Sequence, residues 1–550
     1  MKMRSPRMMV LSLPLLCGLT IATTSVCAEE SAVPKPVHIE GDKVVNVRDF
    51  GATGDCRRVM DGTMKQGSEV LTSASARFRP EDVGKPIYVL GAATRTFPEI
   101  GNVPGAPLSS EIVAVTDEHT VRLKDAATQD VPETSVAWGT DDTKAIQAAI
   151  NSLSESGGTV FFPPGIYRVV YQGGPGLQVA ASNIRLQGTG AGSAIFNSTV
   201  IFKAKVKDGV TRTEQGGVPV LYVGGPGKAI QNVEVDHLWL GDNGGQYDYP
   251  VWGPHGPAVL GTSGKVDRFH FHDVIIETRF LCGVGMNSQT DGFTIDHVTV
   301  QSSGEHGFYL AGTGAHGDVH DNRVFSPGAP MRQGIILKKK EHVRVAHNEI
   351  SRVGFQGLGV EGDDPTYLSR DIEIVDNDIH DLAEWHTDAI TIFNADGVTI
   401  RGNRITDTSW IGIDLHTWLY RVTNVVVEGN VLTRVGSPDP RDPCFAINCR
   451  YDPPRTLAAG APWPGSVADI RIENNTVTGS PRGIAVKDVG GQVRLLGNRL
   501  KNGLRAEANS IGYALEPLAG ADLLFTGNTG IDYAGHRLGP SVREDGNVLK

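Results

Sequence analysis

Five side chains between residues 338 and 416 have the makings of proton-transfer chemistry: Lys338, Glu361, Asp388, Asp414 and His416. Asp414 and His416 stand two apart in Gly412-Ile-Asp-Leu-His416, and on an extended strand residues i and i+2 share a face. An imidazole steadied by a carboxylate is a general base, a second carboxyl is a general acid, and a cation neutralises negative charge as it develops. His386 precedes Asp388 by two residues and joins the candidates. Trp385, Trp410, Trp418 and Tyr420 bracket the same stretch with rings suited to stacking on sugar faces, and Asn448 and Arg450 follow in a later run. The alternative reading is a solvated, salt-bridged sheet face.

These residues recur because the chain repeats. An Asn closing a short Val/Ile run returns at Asn322, Asn348, Asn377, Asn403, Asn430, Asn475, Asn498 and Asn528, at spacings of 26, 29, 26, 27, 45, 23 and 30. Some ten residues after most of them comes a Gly-apolar-x-apolar run, as in Gly334-Ile-Ile-Leu, Gly357-Leu-Gly-Val and Gly412-Ile-Asp-Leu. Alternating strands of four to six residues cannot bury an apolar face alone, so stacked coils must make the core. The period fits a three-sheet parallel β-helix; a β-propeller blade needs about 40 residues. Asn at a fixed place suits an αL bend and a side-chain ladder.

Counting the Gly as position zero, positions two and four point outward. Position four then reads Lys338, Glu361, Phe393, His416, Asn448 and Lys487, and position two reads Tyr309, Ile336, Thr391, Asp414, Ala446 and Ala485. His306, Gln333, Gln356 and Asp388 fall just before the strand. The Lys338-Lys-Lys340 run reads by itself as solvated surface.

Val45-Asn-Val-Arg-Asp-Phe-Gly-Ala-Thr-Gly-Asp55, Thr140-Asp-Asp-Thr-Lys-Ala-Ile-Gln-Ala-Ala-Ile150 and Gly157-Gly-Thr-Val-Phe-Phe-Pro-Pro-Gly-Ile-Tyr167 resemble the opening segment of pectate-lyase-superfamily β-helices, shared by polygalacturonase-like, epimerase-like and tailspike proteins. The resemblance implies an all-β, single-stranded right-handed parallel β-helix. Thr140 or Asp141 can cap a helix whose Ala145, Ile146, Ala149 and Ile150 face one side and close the first coil. Residues 1–28 read as a signal peptide, 29–55 with 139–550 as the helix domain, and 56–138 as an inserted β subdomain. Gly412-Ile-Asp-Leu-His416 also resembles the Gly-Phe-Asp-Pro-His core of mannuronan C5-epimerases, with Ile411 where that motif has its tyrosine.

Lys2, Arg4 and Arg7 before the apolar stretch Met8 to Ala22 read as a cleaved export signal, giving a secreted or periplasmic protein with no membrane span. Its removal takes the net charge from −11 to about −14, which disfavours a nucleic-acid partner. Cys444 and Cys449, about 16 Å apart when extended, are too far for a bridge without a turn. Glu361 with Asp363 and Asp364 offers donors for Ca²⁺; no other cofactor is implied, and zinc-ligand spacing, a nucleotide loop and a nucleophile elbow are lacking. The leading expectation is a polysaccharide lyase or uronan-modifying enzyme working by β-elimination chemistry, with His416 as base, Asp414 orienting it, and Lys338 or Arg450 on the uronic carboxylate. The alternatives are a glycoside hydrolase pairing Glu361, Asp388 or Asp414, and a non-catalytic glycan-binding adhesin.

Overall fold

The computed structural model describes residues 39, 43–98, 100–170, 176–207, 210–217, 219–242, 258–278, 282–326, 331–362, 367–382, 386–417, 420–437, 442, 444–451, 466–502 and 510–550. Trp385, Trp418, Asp363, Asp364 and the proposed export signal lie outside them. Short strands wind into successive coils, each adding one strand to each of three parallel sheets. One coil is Asp388–Ile392, Ala395–Arg401 and Arg404–Thr408; the next is Ile413–Thr417, Arg421–Glu428 and Val431–Val435. They pair in parallel with Ile390 on Ile413, Val398 on Val425 and Ile405 on Leu432. Alternation sends these aliphatic side chains inward, where all are 0–1% exposed in one continuous core. The chain is therefore a parallel β-helix.

Between the second and third strand of each coil the chain turns a fixed corner, and there the recurrent Asn residues form a buried ladder. Asn377 Nδ2 donates to Asn403 Oδ1 at 2.9 Å and to the Val345 carbonyl at 2.9 Å, while its Oδ1 accepts from the Asn348 backbone N–H and Nδ2. The bend is not made by Asn itself. The preceding residue takes the left-handed conformation, as at Asp321, His347, Asp376 and Gly402. The ladder needs extended geometry at Asn, so the positive φ moves one residue back.

Helix Thr143–Asn151 covers the open end of the first coils, with Ile146, Ala149 and Ile150 joining the core. Asp141 Oδ1 accepts from Thr143 N–H at 3.0 Å, whereas buried Asp142 turns back to accept from the N–H groups of Thr53 and Gly54. Between Arg57 and Trp138 six antiparallel strands close a small barrel around its own core of Leu71, Ile87, Ile112, Val121 and Trp138. Its Arg58 reaches the β-helix, 2.9 Å from Glu277 and over the Phe196 ring. Among the described residues no disulfide forms, Cys56, Cys282, Cys444 and Cys449 being buried thiols, and no helix is long and apolar enough to cross a membrane.

The lysine run departs from its reading as solvated surface. Lys338 is 4% exposed and Lys340 0%; only Lys339 takes the left-handed corner conformation. The strand periodicity swings alternate residues into packed environments, and charge count alone does not reveal that. Lys340 Nζ sits 5.2 Å from the Phe293 ring centre and 3.4 Å from the Thr313 carbonyl oxygen. Burial, opposed in part by the Asp291 charge, pushes its ammonium down to about 7. An unfolded lysine titrates near 10.4, so between about pH 7 and 10 the unfolded chain binds the extra proton and stability rises with pH. Below pH 7 the folded state bears the full cost of the buried ammonium. Lys340→Met is therefore expected to raise stability by at least about 1 kcal/mol at pH 6 and by less at pH 9, as read by urea denaturation. Equal gains at both pH values would refute the charge explanation.

Candidate active site

The outer face of the first sheet carries the candidate residues, and strand pairing fixes their order. Gln333 pairs with Gln356 and Gln356 with Asp388; Lys338 pairs with Glu361; Thr391 pairs with Asp414; His416 pairs with Arg450, which pairs with Lys487. One placement differs from the sequence reading. Asn448 stands beside Asp414, not beside His416, and Arg450 takes the place next to His416. The coil's zero position is Ala446, whose carbonyl accepts from Ile413 N–H at 3.0 Å, where the sequence count had used Cys444. The position is tight: a Cβ on Gly412 would lie 2.6 Å from the Ala446 carbonyl oxygen and 2.6 Å from Leu432 Cδ2. Alanine tolerates what glycine marks elsewhere, so the signal was lost.

The candidates separate into two groups. Lys338 Nζ lies 3.4 Å from Glu361 Oε2, with Gln333 donating to Gln356 Oε1 and to Glu361 Oε1. Tyr309 and Ile336 pack with Ala258 and Cys282 into a small apolar cluster alongside, so this stretch of the outer face is dry. Lys338 is thus a buried brace, not a solvated cation. Phe393 then stands between Glu361 and His416, its ring edge-on at 5.3 Å to His416 and 5.4 Å to Tyr420. At about 4.8 Å per coil, Glu361 and His416 are roughly 10 Å apart along the stack.

The second group is compact. Asp414, 1% exposed, holds His416 Nδ1 at 2.7 Å, accepts from Asn448 Nδ2 at 2.7 Å and lies 3.9 Å from Arg450. Asp388 accepts from Ile411 N–H at 3.1 Å and from the Thr391 hydroxyl at 3.5 Å. Burial alone would raise the Asp414 carboxyl, but the charges of His416 and Arg450 and the Asn448 donor outweigh it and hold it below the ordinary range. Burial and then the Asp414 charge push Asp388 well above that range. Two carboxyls one coil apart are therefore pushed in opposite directions by their surroundings.

His386 takes a left-handed turn conformation and packs its ring 3.8 Å from the Trp410 ring, outside the strand. Tyr420 is half-buried, edge-on to Phe393. Sequence reasoning missed a polar knot at the other end of the Gln column: His306 pairs with Gln333, and Cys282 Sγ lies 3.5 Å from His306 Nδ1 beside Glu305. Glu305 carries no strand signal, so only the folded register finds it.

Opposite shifts predict opposite effects of neutral isosteres. Asp388→Asn keeps the acceptor for Ile411 N–H and is expected to leave stability unchanged or raised at pH 7, with a gain that grows with pH from the ordinary carboxylate value upward. Asp414→Asn strips a buried anion from His416 and is expected to cost at least about 2 kcal/mol at pH 7. That cost disappears as pH falls through the depressed native value. Denaturant titrations of both variants across pH 2–8 check the signs.

Comparison with known proteins bears on the fold. Residues 282–500 match the family described as right handed beta helix region, and 139–233 match rhamnogalacturonase A/epimerase, pectate lyase-like. Alginate lyase 7 of Azotobacter vinelandii is 29% identical over 202 residues, 32% of this chain and 22% of that protein. Mannuronan C5-epimerase AlgE3 of the same organism is 32% identical over 176 residues, 30% of this chain and 9% of that protein. The aligned stretches thus span about a fifth and a tenth of the lengths of these relatives. The solved A-module of mannuronan C-5 epimerase AlgE6 from Azotobacter vinelandii superposes with a TM-score of 0.51 at 18% identity, covering 75% of this chain and 96% of that one. Sequence pattern, coil register and these matches converge on the fold: the chain is a right-handed parallel β-helix, with one segment that matches the pectate-lyase-like family model.

Proposed function

We propose that this chain is an exported enzyme that acts on a uronic-acid polysaccharide by removing the proton next to the carboxyl group, as a lyase or its epimerising counterpart. The observation that carries the reading is the ionised, buried Asp414 holding His416 Nδ1, with Arg450 and the high-pKa Asp388 on the same face. With Nδ1 held, Nε2 is the nitrogen that takes the substrate proton, and Asp414 stabilises the imidazolium that results. Arg450, in line with Lys487, pairs with the uronic carboxylate and lowers the barrier to forming the carbanion. Asp388, whose burial beside the Asp414 charge favours its protonated form, supplies a proton to the departing glycosidic oxygen. Ile411 is buried where the epimerase motif has tyrosine, so the base assigned here is His416. The names of the two curated relatives, an alginate lyase and a mannuronan C5-epimerase, support the substrate class.

The test is a panel of neutral and uronic polysaccharides followed by ultraviolet absorbance and reducing-end assays. Uronans are expected to give an unsaturated, absorbing product or a change in epimer ratio. His416→Ala and Asp414→Ala should each lower kcat by at least about 10²-fold. Reducing ends without absorbance would identify a hydrolase instead. Binding without turnover of any glycan would identify an adhesin.

A further inference from the structure

The second sheet's outer face, away from this groove, carries imidazoles and carboxylates in its N-terminal coils. Glu234 and Asp236 alternate at the end of Leu221–Asp236, and His270 and His272 at the end of Ala258–His272. Pairing sets Glu234 beside His270 and Asp236 beside His272, and places Asp296 beside His272 in the following coil. His272 Nε2 lies 3.1 Å from Glu234 Oε1, and the two histidine rings stack with centroids 3.9 Å apart. One donor atom from each of Glu234, His270 and His272 falls within 4.8 Å of the other two, and the three residues are 0–5% exposed.

We propose that Glu234, His270 and His272 bind a divalent transition-metal ion, Zn²⁺ by donor chemistry, which clamps two successive coils together. Two nitrogens and a carboxylate oxygen are a zinc donor set, and three protein ligands leave a fourth position for water. Donors at about 2.0–2.1 Å from a tetrahedral zinc stand about 3.3 Å apart, close to the His272–Glu234 separation. Each imidazole also has a carboxylate behind it: His272 Nδ1 lies 2.8 Å from Asp273, and His270 Nε2 lies 2.8 Å from Asp296. Such partners orient metal-bound histidines and raise their basicity.

Charge points the same way. Glu234, Asp236, Asp273 and Asp296 bring four carboxylates to the cluster. Among the described residues the guanidinium ion-paired with these carboxylates is Arg185, which bonds Asp236 through Nε and a terminal nitrogen at 2.7 and 3.1 Å and lies 3.4 Å from Glu234. A dication compensates the negative charge at buried Glu234 and Asp236. The Ile39 N–H donates to Glu234 Oε2 at 2.9 Å, so the clamp also ties the start of the described chain to the coils.

The test uses the full-length, untagged chain stripped with a chelator, then titrated calorimetrically with Zn²⁺ alone and with Co²⁺. One ion per chain is expected, with a Tm higher by several degrees, and the Co²⁺ adduct should show tetrahedral visible bands without thiolate charge transfer. His270→Gln and His272→Gln should weaken binding more than 100-fold. Asp273→Asn, which removes the carboxylate charge behind His272, should weaken it 10–100-fold with the fold intact by circular dichroism. Absence of stoichiometric uptake by the natural chain would overturn the proposal. So would uptake indifferent to Asp273→Asn and the histidine variants, or uptake lost in Cys282→Ser with a thiolate band, which would assign the ion to Cys282, Glu305 and His306.

Discussion

The structure hangs on the asparagine ladder. A parallel coil has no hairpin to set its register, and a slip of one residue would turn every inward aliphatic outward. From Asn322 to Asn547 each Nδ2 bonds the next Oδ1 and a main-chain carbonyl, so a buried amide is satisfied only when successive coils stack in one register. All the variation in repeat length falls elsewhere. Two residues separate the second and third strands at every ladder step, from Asp296 and Thr299 to Thr526 and Thr529. With this corner fixed, outer positions on the sheets line up in columns, and the columns bring Asp388, Asp414, His416 and Arg450 together.

The same corner supplies chemistry at the other end of the molecule. Its left-handed residue favours Gly, Asn, Asp or His, since few other side chains tolerate positive φ. In the C-terminal coils Gly402, Gly429, Gly497 and Gly527 meet the requirement silently. In the N-terminal coils His237, Asp273, His297 and Asp321 meet it with side chains that touch their neighbours: His237 lies 2.6 Å from Asp236, Asp273 2.8 Å from His272, and His297 2.8 Å from Asp296. There Leu238, Val274 and Val298 occupy the ladder's place. A backbone demand thus becomes a lattice of imidazoles and carboxylates.

This division explains what the sequence disclosed. The repeat was legible because Asn and Gly recur for reasons that hold in every coil: amide saturation at the corner and a missing Cβ where strands crowd. The alternation then placed Asp414 and His416 on one face without coordinates. It failed where a coil met the constraint another way, with Ala446 in place of glycine, and so Asn448 and Arg450 shifted by two. Burial was harder to read than direction. Lys338 points outward yet is covered beside Tyr309 and Ile336, because satellite apolar clusters on the outer face leave no periodic mark. Residues joined only through register were invisible. Glu234 and His270 lie 36 positions apart, so a search for local ligand spacing passes over them.

Commitments between the carboxylates weigh on the choice of chemistry. A glycoside hydrolase needs two carboxyl groups both available to one sugar, about 5 Å apart for retention or 6.5–9.5 Å for inversion. Here Glu361 is engaged by Lys338 and Gln333, and Asp414 by His416, Asn448 and Arg450. Among the described residues of the face, Asp388 is the carboxyl whose surroundings favour the protonated form. One acid, one oriented imidazole and one guanidinium are the wrong set for paired-carboxylate hydrolysis. They are the set on which the proposed proton abstraction beside a carboxylate rests. The Asp414 charge that helps raise the Asp388 carboxyl also holds His416 Nδ1, so the proposed acid and base both depend on the same buried anion.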